Sequence, residues 1–304
     1  MSSSSQHALF YAPETTYKQL PATPAFKPLS HTACTLALTK AVMESKEING
    51  TRQMTSVRSG VRNAAGDISS ELSFGSFDDL LEAVMCGTWE GDELRVGNIR
   101  RSFTMLRKFG DVADKPYQQY PGAEINSLSI DVKPDAVVGL SFNVFAADMT
   151  LLAGAPSGAS FGSKSSSEVM DAFSGVISVN GVGESVVTEL KLEISNGLAA
   201  RYVVGSSTSM RPSLKKASLS ANATLHFETA RHLEMFLNDE YLSLSLTLKD
   251  PAGNAYIIDL PRAKYTAAQT DTSEEEDIFI PVTLAMTYDP AEQTAIKITR
   301  NAAA

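Results

Sequence analysis

A chain of 304 residues, 43% of them apolar, is long enough for two domains and rich enough for real cores. Its 26 basic residues stand against 35 acidic ones and neither half is cationic, which excludes a protein that holds nucleic acid tightly by neutralising phosphates. No apolar stretch approaches the roughly 20 residues of a membrane helix, no leader-like segment opens the chain, and two cysteines exclude a disulfide framework, so a soluble protein made in the cytoplasm, without membrane insertion, is expected.

Residues 1–30 carry Pro13, Pro21, Pro24 and Pro28 and show no strand or helix period. Proline lacks a donor and fixes φ, so this segment reads as an extended arm; its Phe10, Tyr11, Tyr17 and Phe26 argue that it lies on a surface. A first domain is expected over 31–152. It opens with an alternating strand at 34–38, passes through a long polar hairpin or loop at 43–66, and reaches a helix over 77–86. Ser76 stands as N-cap with Asp79 at the third helical position, and Gly87 stands where a left-handed residue closes a helix. Phe77, Leu80, Leu81, Val84 and Met85 form one apolar stripe, which predicts packing on a sheet. Strands follow at 102–109, 127–132 and 138–145.

A Gly/Ser-rich stretch at 153–168 predicts a linker or mobile loop, and 169–304 a second domain. Its strand at 189–194 alternates, and a helix over 230–237 is expected on Ala230, Leu233, Phe236 and Leu237, with Thr229 as cap. Leu242, Leu244, Leu246 and Leu248 predict a strand, 250–254 a turn, and 256–260 its return. The acidic run Glu274, Glu275, Glu276, Asp277 reads as a solvated loop before a final hairpin.

The two halves repeat one order of elements. Leu36 and Leu190 lie in alternating strands 154 residues apart, Ser76 and Thr229 precede helices 153 apart, and Pro134 and Pro290 follow strands 156 apart. The expected architecture is mainly β: two tandem domains, each of two packed sheets flanked by one helix.

Tests for chemistry return nothing. The 158–165 stretch has Gly158, Gly162, Lys164 and Ser165 but lacks the adjacent Gly-Lys of a phosphate loop, and AsnGlyValGly at 180–183 reads as a turn. His7, His31, His226 and His232 show no metal-ligand spacing, and for the last two surface or capping roles are expected. Cys34 and Cys86 read as buried reduced thiols. No serine lies in a nucleophile elbow. The catalytic, cofactor-binding and metal sets are therefore empty, and no enzyme is expected.

Four segments carry a resemblance to a known family: GlyAspIleSerSerGluLeuSerPheGlySerPheAspAspLeuLeuGluAlaValMetCysGlyThrTrp at 66–89, ArgSerPheThrMetLeuArgLysPhe at 101–109, TyrProGlyAlaGluIleAsnSerLeuSerIleAspValLysProAsp at 120–135, and AlaTyrIleIleAspLeuProArgAlaLysTyr at 255–265. In these, and in the order of the whole from about 30 to 300, the chain resembles the tail tube (major tail) proteins of long-tailed bacteriophages of the siphophage type. The resemblance implies a non-enzymatic virion protein that assembles in the host cytoplasm into stacked rings around the passing double-stranded DNA. Its implied partners are itself, a tape measure protein in the lumen, and tail terminator and distal tail proteins at the ends. The duplication favours three chains per pseudo-six-fold ring over six. Another virion or carbohydrate-binding β-sandwich protein is the alternative, and a hydrolase with an unrecognised carboxylate pair a weaker one.

Overall fold

The computed structural model describes residues 3–48, 50–270 and 277–303. The chain runs through β1 (His7–Glu14), β2 (Ala25–Pro28), β3 (Ala33–Cys34), β4 (Ala37–Glu44) and β5 (Val57–Glu71) to α1 (Asp78–Met85). Then come β6 (Trp89–Glu90), β7 (Glu93–Arg95), β8 (Ser102–Phe109), β9 (Tyr117–Val132), β10 (Gly139–Ala146), β11 (Thr150–Leu152) and β12 (Ser160–Phe161). The second half holds β13 (Asp171–Val179), β14 (Val182–Gly183), β15 (Val187–Ser195), β16 (Ala199–Arg201), β17 (Met210–Ser213), β18 (Ser218–His226) and α2 (Arg231–Leu237). It closes with β19 (Tyr241–Lys249), β20 (Ala255–Ala268), β21 (Phe279–Met286) and β22 (Lys297–Asn301).

The architecture is mainly β, in packed sheets with two helices, and the order of strand pairing in the long sheet is the same in the two halves. One sheet runs β4-β5-β10-β9 and continues directly as β15-β18-β21-β20. Over it lie two smaller layers, β2-β1-β8-β9-β11 and β13-β19-β20-β22. The long strands β9 and β20 therefore serve two sheets each. Both change partners at the same motif, TyrProGlyAla at 120–123 and LeuProArgAla at 260–263. There proline removes a ladder donor, and the ladder gains one extra residue, a bulge that bends the strand from one sheet into the other. In β9 the bend is fixed by Glu14, whose Oε1 accepts from the Gly122 N–H (2.9 Å) and the Thr104 hydroxyl (2.7 Å). Gly122 holds φ +64, where a side chain would also strike the Tyr17 ring.

This topology corrects several expectations. The N-terminal segment is not a surface arm. All of β1 pairs with β8, and Leu9, Tyr11 and Leu29 are buried in the main core. The 153–168 stretch contributes β12, which pairs in parallel with β2 while Phe161 packs between Phe10 and Phe26. The polar region at 43–66 is, as expected, part of a long hairpin: the end of β4, a loop, and the start of β5. The hairpin that matches β9–β10 is β20–β21, not the turn at 289–292. Of the acidic run, Glu274, Glu275 and Glu276 lie outside the described residues.

The helix at 78–85 buries its expected stripe, but its ends are made differently. Phe77 occupies the N-cap without a side-chain bond, because the Ser76 hydroxyl is taken by Ser73 (2.7 Å) and Asp79 by Lys27 and the Tyr11 hydroxyl. Cys86, not Gly87, is left-handed (φ 48), and Gly87 is small because a Cβ there would lie 2.0 Å from the Arg95 carbonyl oxygen. In α2 Ala230 is N-cap; His232 and Met235 are buried, and of the predicted stripe Leu233 and Phe236 pack partly buried against the core while Leu237 is exposed. Asn180 and Gly181 form the expected turn, both with positive φ.

Because β1 is a core strand, deleting residues 2–28 is expected to destabilise the unassembled protein severely. Leu9→Ala is expected to cost about 2–5 kcal/mol, as is Leu81→Ala. Thermal melts check both; a truncated chain melting at the wild-type temperature would take β1 out of the fold.

Candidate functional site

The groups that could carry chemistry are engaged in structure. His7 Nδ1 lies 2.7 Å from His31 Nε2, and the Arg107 Nε–H donates to His7 Nε2 at 3.0 Å. His226 stacks on Phe279. His232, against the surface or capping role expected, is 4% exposed and hydrogen-bonded through Nδ1 to the Tyr265 hydroxyl (2.8 Å), with the Glu184–Arg231 ion pair beside it. Burial raises the pKa of both thiols, half-buried Cys34 and buried Cys86, which disfavours the nucleophilic thiolate. Among the described residues no three His, Cys, Asp or Glu side chains converge as metal ligands. A concavity of about 500 Å³ between the end of α1 and residues 291–293 is lined by Glu90, Glu93 and Glu292, and Arg95 pairs with the last two.

The chemistry of this molecule is that of strand edges. At the junction of the two repeats, β9 pairs antiparallel with β15 over six positions, from Leu190 opposite Val132 to Ser195 opposite Ser127. The helix α1 sits across the same seam. At its start, Asp78 accepts from the Tyr256 hydroxyl (2.6 Å) and pairs with Arg300 (2.5 Å); at its end, Asn196 Nδ2 donates to the Val84 carbonyl (2.9 Å) and to that of Ile125 (3.2 Å). Glu124, 3% exposed, is held between Arg100 and Arg211, and Arg100 also donates to the Pro212 carbonyl. A third tie is the pairing of β22 with β7.

The same ladder ends open on both flanks. The counterpart of β15 spans β3 and the start of β4; among the described residues its only strand partner is β5, the Cys34 and Leu36 carbonyls on its other side accept from Arg107 and the Tyr120 hydroxyl, and every residue from Thr39 to Glu44 is exposed. β20, the counterpart of β9, loses its β19 partner after Lys264 and runs on with β21 alone. Among the described residues the long sheet therefore ends, at its two opposite flanks, in edges of matching parentage that lack a strand partner. No sequence pattern marked them, since an edge is defined by what fails to pair.

A family model of phage tail tube proteins matches residues 4–287. The chain belongs to the phage tail tube protein family. No curated protein matches it. As a tail tube protein it is a structural component of a virion tail, in a family that is generally non-enzymatic. Within the tail tube match lie both helices and the whole of the long sheet; β22 lies beyond it.

Two predictions arise here. Glu124→Gln leaves two arginines around a neutral group in a buried site and is expected to cost about 3–5 kcal/mol, checked by denaturant melts. The second concerns pH. Burial, then the Arg107 cation and His31, push the pKa of His7 down from 6.5 to about 4. The unfolded chain then takes up this proton first, so the associated stability is present above pH 6.5 and is lost as pH falls towards 4. His7→Gln removes that loss, and the wild-type-minus-variant stability difference is expected to shrink over this window. A difference independent of pH would refute it.

Proposed function

We propose that this chain forms the wall of a siphophage-type tail tube, three copies closing each ring and rings stacking into a conduit for double-stranded DNA. The β9–β15 pairing supports this reading above all. It joins two equivalent repeats edge to edge within one chain, and the unpaired edges of β4 and β20 are the same two edges left over. Repeating one contact between chains that already exists within the chain closes a ring of six repeats with three chains. In this division one repeat runs from β1 to β11 and the other from β13 to β22, with the first strand of each taken from outside the 31–152 and 169–304 limits or at their margin.

The face of the long sheet turned away from the core suits a DNA conduit. Asp67, Glu71, Asp131, Glu189 and Glu193 project from it among serines, threonines and asparagines, with Lys191, and Lys133 beside Glu189, as opposite charges. Such a surface repels phosphates and gives them no cation row to settle on. Stacking is assigned to the tips of the β4–β5 hairpin and the 202–208 loop, where Ile48 (99%) and Val204 are fully exposed. The 202–208 loop is held to β5 below the hairpin tip, the Arg62 N–H donating to the Ser207 carbonyl (2.7 Å) and the Tyr202 hydroxyl to that of Arg62 (3.1 Å). The remaining partners in this reading are a tape measure protein inside and terminator and distal tail proteins at the ends, with assembly in the host cytoplasm.

Native mass spectrometry of a single ring tests the stoichiometry. The mass of three chains is expected, with pseudo-six-fold density in a cryo-EM map. Six chains, or six-fold density with one repeat outside the wall, would sink the reading.

A further inference from the structure

The seam inside the chain has a second component besides the strand ladder, and its counterpart on the outside lacks a partner. Helix α1 buries five of its eight residues, α2 only two of seven, and Leu237 of α2 is 76% exposed. Both helices end alike: Cys86 and Asp239 are left-handed, and the Gly87 and Glu240 N–H groups each reach back five residues, to Glu82 and Met235. Counted from this shared ending, Leu237 stands where Val84 stands. Matching ladder rows, Cys34–Ile68–Phe142 and Leu190–Ala223–Val282, likewise put Lys40 where Asn196 stands. The shared bulges in β9 and β20 put Tyr265 where Ile125 stands.

Within the chain Asn196 bridges the carbonyls of Val84 and Ile125. We infer that in the assembled ring the Lys40 ammonium of one copy bridges the carbonyls of Leu237 and Tyr265 of the next, with Leu237 buried beneath that copy's β4. The inference rests on the ring reading above and adds to it a specific docking surface whose occupant is a second copy of this chain. Charge favours it. α2 has no basic residue in its last turn, so a cation arriving there meets the negative end of the helix dipole. Lys40 is exposed, has no ion pair among the described residues, and sits opposite Arg62 in its own hairpin, a like-charge neighbour that a new acceptor would relieve.

The test uses the full chain. Leu237→Asp and Lys40→Glu alter exposed side chains, so both variants are expected to melt as wild type does when unassembled. Leu237→Asp is expected to abolish rings in electron micrographs, and Lys40→Glu to raise the concentration needed for assembly by roughly tenfold or more. A benzophenone side chain at position 237 is expected to cross-link, in assembled wild-type background, to residues 33–44 of a neighbouring chain. If the wild type forms rings while Leu237→Asp assembles equally well, or the cross-link maps elsewhere, the α2 surface is wrong and the ring stands. If the wild type forms no ring under any condition, both fall.

Discussion

The fold depends on a bend. β9 and β20 are single strands that belong to two sheets each, and the bend between their halves decides which edges of the long sheet are filled and which are left over. Proline at 121 and 261 interrupts the ladder, the following residue bulges, and the strand leaves its first partner for a second. After the bend, β9 finds β15 within the same chain, whereas β20 has no strand on that side among the described residues. Core packing, helix placement and exposed edges all follow from that difference.

The unequal burial of the two helices follows from it as well. They have the same length to within one residue and the same ending, yet α1 is enclosed because the second repeat stands over it, with Tyr256, Arg300 and Asn196 reaching across. A solitary repeat would leave α1 as open as α2. The two copies therefore form one continuous core, in which Leu128 and Ile130 of β9 lie beside Ile194 and Leu192 of β15. Burial of that seam is hydrophobic association of the kind that joins subunits, carried out inside one polypeptide.

Much of this was legible in the sequence wherever one face of a strand is wet. Alternation at 138–145, 189–194 and 242–248 predicts strands that the structure contains, and the stripe on α1 is buried as read. β1 was missed because HisAlaLeuPheTyrAlaProGlu is apolar at nearly every position, and Pro13 argued against a strand. A strand covered on both sides has no period to detect. The capping serine was misread because its hydroxyl had a nearer partner, and a local pattern cannot see competition. On α2 the apolar spacing predicts a buried stripe, of which Leu233 and Phe236 pack against the core, whereas Leu237 faces out and His232 faces in. A buried polar residue satisfied by Tyr265 and an exposed leucine reverse the usual rule. The repeat itself was legible, but the prolines at 134 and 290 were the wrong markers; those at 121 and 261 sit at equivalent bends.

One element has no counterpart. Between α1 and β8 the first repeat inserts the β6–β7 hairpin, which pairs with β22 of the second, whereas only residues 238–240 connect α2 to β19. In a ring closed by such chains, every second seam would carry this extra clasp and the alternate seams would not. Tension or heat would then open the circle at three places in preference to the other three, releasing intact double units and never single ones. The linkage of two repeats in one polypeptide would set the grain along which such an assembly splits.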